Sequence, residues 1–176
     1  MRLDELPPRD DEGHVLCVVE APRGSRVKTQ WDPQLGVIIL GRALPLGAHY
    51  PYDWGFVPST QAPDGDPIDV LVLHDAPTHP GVVIPSFLLG VVKIEERKQG
   101  RARRNDRLLA VPADAPRFDG LREGRDLSTR ARREIERFFL TAAEYTPKDV
   151  RVIGWGSARV ATRLLEQAIL ARERGV

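Results

Sequence analysis

Residues 63–73 read PDGDPIDVLVL, with three carboxylates, Asp64, Asp66 and Asp69, inside six positions. The first two belong to a turn of Asp, Gly and Pro, and the third opens an apolar run. Read as a strand, the run places Asp69 on one face with Leu71 and Leu73, and Ile68, Val70 and Val72 on the other. Both faces are apolar, so the strand belongs in the interior. A carboxylate carried into such a segment suffers desolvation, and repulsion from its two neighbours adds to the cost. Something of opposite sign must neutralise it. A hard divalent cation such as Mg²⁺ or Mn²⁺ suits oxygen ligands of this kind. The same cluster is also compatible with a surface turn whose Asp69 caps a strand or pairs with an arginine. A calcium loop of the EF-hand type is excluded, because its sixth and twelfth positions would hold Asp69 and Asp75 where Gly and Glu are needed.

Outward from this stretch, short β-like runs at 15–20, 26–31, 36–42, 81–88, 90–94 and 108–111 are separated by Pro, Gly and Asp clusters. DPQLG at 32–36 predicts a hairpin turn. The last third changes period. Ser128 caps a helix with Ile135, Phe138, Phe139 and Ala142 at helical spacing. A short strand at 150–155 follows, and then a second helix capped by Ser157. Strands first and helices last predict an α+β fold, a barrel flanked by two helices. The first 13 residues read as a flexible arm, and 14–176 as one domain.

The chain has 176 residues, of which 41% are hydrophobic and 29% charged. Its 26 basic and 25 acidic side chains leave a formal charge of +1, so no global field favours nucleic acid. The charge is uneven, however: 98–107, KQGRARRNDR, is a concentrated basic segment, read either as a solvated surface loop or as added anion-binding arginines, Arg101, Arg103, Arg104 and Arg107. It contains no aromatic residue on which a base could stack, so nucleic acid is not expected as a partner. The single cysteine, Cys17, excludes an internal disulfide and reads as a core thiol. No run approaches the roughly 18 apolar residues of a membrane span. A cytoplasmic protein is expected.

The segments VVEAPRGS, VKTQWDPQLG, GRALP and YPYDWGFVPST precede the aspartates in that order. Together with DGDPIDVLVL they closely resemble the soluble inorganic pyrophosphatases of family I. The resemblance resumes in PGVVIPSFLLGVVKI, LLAVP, IERFF and VIGW, and so covers roughly residues 14–170. It implies an OB-like closed barrel of five strands and hydrolysis of pyrophosphate to two phosphates with several Mg²⁺ ions. It also implies a homo-oligomer, a hexamer in bacterial members. By the same resemblance Asp64 and Asp69 are metal ligands, and Glu20 lies at or just behind the metal. Asp66 helps to deprotonate the attacking water, while Lys28 and Arg42 hold phosphate oxygens.

Several positions depart from the family pattern. Gln30 stands where a carboxylate is usual, and Trp54 replaces a substrate-contacting tyrosine. A family hairpin bearing two metal-binding aspartates and a lysine becomes the longer IEERKQGRARRNDRLLAVP. Glu96 then matches the first aspartate, Asn105 the second with Asp106 beside it as an alternative ligand, and Arg107 the lysine. Ala142 and Ala143 replace a tyrosine and a lysine, with Tyr145 and Lys148 a turn later. Two readings follow. The retained acids and cations predict a Mg²⁺-dependent phosphoanhydride hydrolase. The altered clamp also allows a pyrophosphatase-like protein of weak or no such activity, acting on another phosphoanhydride or as a binding or assembly module.

Overall fold

The computed structural model describes residues 2–118 and 120–175, and only the backbone of Lys98 and Arg117. Five strands close into a ring: β1 (Val15–Ala21), β4 (Asp53–Phe56), β5 (Asp69–Val72), β8 (Arg107–Pro112) and β6 (Val83–Lys98), which returns to β1. All neighbours are antiparallel except β5 and β8. A separate hairpin, β2 (Val27–Asp32) with β3 (Val37–Ala43), projects from the ring. Its turn is built as expected: Asp32 Oδ1 accepts from the N–H groups of Gln34 and Leu35, both at 2.9 Å, and Gly36 takes φ 67°.

The alternation in 68–73 is realised on both faces. Leu71 and Leu73 pack with Trp54, Leu109, Ile135, Phe138 and Phe139, whereas Ile68, Val70 and Val72 pack with Cys17, Leu108, Ala161 and Leu165. Helix α1 (Thr129–Ala142) therefore covers one apolar set and α2 (Ala158–Arg174) the other. Each fully buried leucine contributes about 1.5–3 kcal/mol. Ser128 and Ser157 cap these helices, accepting from Ala131 N at 3.1 Å and Val160 N at 3.3 Å.

Three local expectations need correction. Residues 81–88 and 90–94 form one long strand, β6, whose pairing with β8 shifts register between Leu88 and Gly90. Glycine is required at 90, because a Cβ there would lie 2.6 Å from the Gly156 carbonyl oxygen of β9 (Asp149–Ser157). The basic segment is not a loop: Arg101–Arg104 form β7, joined to β6 by a tight turn in which Gln99 and Gly100 both have positive φ. This is the backbone twist that favours two-residue hairpins. The Lys98 side chain lies outside the described set. Finally, β4 had no counterpart among the expected strands.

Residues 2–13, expected to be a flexible arm, contact the body. Ser59 N donates to Asp4 O at 3.0 Å, Ser59 Oγ to Leu6 O at 2.8 Å, and Leu16 N to Pro8 O at 3.0 Å.

Candidate active site

Two cavities meet at Lys28 and Trp54, which line both. The acidic one, about 320 Å³, also takes in Glu20, Asp66 and Asp69. The other, about 190 Å³, is lined by Arg42, Arg107, Lys148 and Glu96, with Tyr50, Phe138 and Phe139 as apolar wall. The hairpin supplies Lys28 and Arg42 from directly paired positions.

The parallel register of β5 and β8 pairs Val70 with Leu108, so Asp69 and Arg107 stand side by side at the strand entrances. Arg107 Nη1 donates to Asp69 Oδ2 and to Asn105 Oδ1, and Nη2 donates to Glu96 Oε1 at 3.2 Å. Its guanidinium lies over the Trp54 ring, 5.4 Å from the centroid, a cation–π arrangement that fixes the plane of the fork. The opposite charge that Asp69 requires is thus supplied within the chain by an arginine. A carboxylate has capacity for several partners, so the ion pair with Arg107 leaves Asp69 able to meet a cation.

The acids perturb one another. Burial pushes Asp69 above the usual carboxylate range; Arg107 and Lys28 oppose this, and Asp64 and Asp66 reinforce it. Glu20 is buried and pushed up to about 7, mainly by desolvation and further by Asp69 and Asp66, although the Trp31 N–H at 2.7 Å works against the shift. Glu96 differs. Burial would raise it, but Lys148, Arg107 and Asn105 hold it below the ordinary value.

The other expected residues divide. Asp66 enters the acidic cavity from a turn closed by Ala62 N donating to Asp66 O at 2.7 Å. Asp64 lies on the neighbouring side of the same turn, 3.8 Å from Arg103, and lines an adjoining groove with Asp106. Asp106 is not brought to Asp69 and Glu96. It lies in the connection between β7 and β8, where it accepts from Arg104 Nη2 at 2.7 and 2.8 Å and from Ile94 N at 3.0 Å. Arg42 donates to the Ala142 carbonyl at 2.5 Å, anchoring the hairpin to the end of α1. Gln30 lines the acidic cavity. Tyr145 is exposed, whereas Lys148 reaches in to Glu96 at 2.8 Å.

Sequence reasoning did not find Arg2, Asp4 and Arg172 in the wall of the acidic cavity. Asp4 is buried and accepts from Arg2 at 2.9 Å. Nothing in an isolated polar arm signals that contact.

Among the described residues no three of His, Cys, Asp and Glu are already gathered at metal-ligand spacing. The donor chemistry nevertheless fits a hard divalent cation. Glu20, Asp66 and Asp69 offer carboxylate oxygens to one cavity, and their mutual repulsion would be relieved by positive charge there.

The family described as "Inorganic pyrophosphatase" matches residues 17–173. The inorganic pyrophosphatase of Thermus thermophilus is 38% identical over 177 residues, covering 98% of each chain. That of a Synechocystis strain is 32% identical, covering 96% of this chain and 98% of its own. The crystal structure of the Thermus thermophilus inorganic pyrophosphatase superposes with a TM-score of 0.90 over 98% of this chain and 99% of its own, at 35% identity. With relatives spanning nearly its whole length, and with the ring and hairpin that bring the two cavities together, the chain belongs to the inorganic pyrophosphatase family.

Proposed function

We propose that this chain hydrolyses inorganic pyrophosphate to two phosphates, with Mg²⁺ as the working cation and Mn²⁺ as a substitute. The observation that carries this reading is the junction at Lys28 and Trp54 between an acidic cavity and a cationic one. A phosphoanhydride needs both: positive groups on its oxygens, and oxygen ligands for the cation that activates water.

In this reading Asp69, Asp66 and Glu20 face the cation, with Asp64 at the edge of the same turn. A cation held by these carboxylates would lower the pKa of a water there and offset charge on the phosphate oxygens. Asp66 accepts the proton of the attacking water. The water oxygen bonds to one phosphorus as the bridging P–O bond breaks, and the electron pair leaves with the second phosphate. Lys28, Arg42 and Arg107 hold the phosphate oxygens, and Trp54 keeps Arg107 in plane. A guanidinium can bind two such oxygens at once, which the family's lysine cannot.

Assembly as a homo-oligomer, a hexamer by resemblance, belongs to the same proposal. Phe87 and Ile153, 52% and 49% exposed, are apolar surface that a second copy would cover. No described helix is long and apolar enough to cross a membrane; the cytoplasm is the proposed location. Phosphate release from pyrophosphate, compared between the unaltered protein and Asp66→Asn, tests the assignment of roles. Turnover unchanged by the substitution contradicts it.

A further inference from the structure

Glu96 is the carboxylate whose surroundings do not suit a metal ligand. Its side chain is 8% exposed, and three donors reach it: Arg107 Nη2 at 3.2 Å, Asn105 Nδ2 at 3.0 Å and Lys148 Nζ at 2.8 Å. The first two meet Oε1 and the third meets Oε2, so both oxygens are engaged. Asn105 is buried, and its amide is used at both ends, donating to Glu96 and accepting from Arg107. It brings no charge. A divalent cation arriving at Glu96 would have to displace two protein cations, Arg107 and Lys148. Cations held within a few ångströms of one another at a buried carboxylate repel.

Resting on the functional reading above, we infer that Arg107 and Lys148 stand in for a divalent cation at Glu96. The site then binds metal only on its Glu20–Asp66–Asp69 side. Glu96 is a positioning residue: it holds Arg107 and Lys148 in the cationic cavity, at the wall where phosphate oxygens would lie. Lys148 takes this role from the far side, contributed by the segment leading into β9. Its charge reaches the cavity that Ala142 and Ala143 also line but cannot supply with a cation. The loss of an acid at 105 leaves Glu96 as the carboxylate here, and Arg107 and Lys148, at or near positions where cations are usual, close on it.

The test counts Mn²⁺ bound to the substrate-free protein by electron paramagnetic resonance of the unbound ion. The unaltered protein and Glu96→Gln should bind the same number of ions, while Asp69→Asn binds at least one fewer. A Glu96→Gln protein that loses one ion overturns the inference. An unaltered protein that binds no Mn²⁺ instead overturns the metal reading on which the inference stands. The second measurement needs no substitution. Lys148 acylation, followed by mass spectrometry, should proceed at the same rate with and without saturating Mn²⁺, because its partner Glu96 stays engaged. A several-fold rise in Lys148 labelling on adding Mn²⁺ means that the metal displaces it, and the inference fails.

Discussion

Asp69 and Arg107 are neighbours across the one parallel pair of the strand ring, and the guanidinium of one closes on the carboxylate of the other. Because Arg107 also reaches Glu96 and lies over Trp54, one side chain organises the boundary between the acidic and cationic halves of the site.

Removing it should therefore cost more than a surface ion pair. Arg107→Met leaves Glu96 and Asp69 without their shared cation, and breaking a buried pair from one side typically costs about 3–5 kcal/mol. Urea unfolding in chelator should read a loss at the lower end of that range, since Lys148 still serves Glu96. A loss indistinguishable from zero would mean that the pair is not formed.

Glu20 predicts a pH dependence. Its folded pKa, about 7, lies above the 4.5 of the free side chain, so folding favours its neutral form. In metal-free protein this group costs stability as pH rises from about 4.5 to about 7, after which its contribution is constant. Glu20→Gln should remove that part of the slope in chelator. Parallel stability curves for the two proteins across this window would contradict the burial of Glu20.

Gly55 tests the closeness of β1 and β4. A Cβ at 55 would sit 1.7 Å from the Val18 carbonyl oxygen, a backbone atom that no rotamer change can move aside. Gly55→Ala should prevent the ring from closing, read as loss of soluble folded protein or of cooperative unfolding. Wild-type stability would refute the strand pairing.

Cys17 is fully buried between the strands and α2, and desolvation pushes its thiol up to about 12. Thiolate, not thiol, is the nucleophile. A thiol reagent should leave it unmodified in folded protein and label it on unfolding; rapid labelling of the native state would contradict its placement.

Much of this was legible in residues 63–73. The alternation that puts Leu71 and Val72 on opposite apolar faces needs only the period of a strand, and the structure buries both. The strand β4 was not legible, because Trp54-Gly55-Phe56 is short and contains a glycine that reads as a breaker. Its reason, contact with Val18, is tertiary. The strand at 101–104 was not legible, because its four side chains are all exposed and a strand without a buried face has no hydrophobic period. The neutralisation of Asp69 was legible only as a choice between a cation and an arginine. Register supplies the arginine, since β8 enters beside β5 with Arg107 at the matching position, and Asp69 keeps its place in the proposed metal site. Asp106, just before that strand, is held by Arg104 and the Ile94 N–H and lines a groove with Asp64.

The most direct measurement is phosphate release from pyrophosphate by the unaltered protein, with Mg²⁺ and then with excess chelator. The account predicts turnover that requires Mg²⁺ and falls at least a hundredfold in Asp66→Asn, as expected when a positioned proton acceptor is lost. No turnover with Mg²⁺ from a protein shown to be folded would contradict it and point to another phosphoanhydride or to a non-catalytic role.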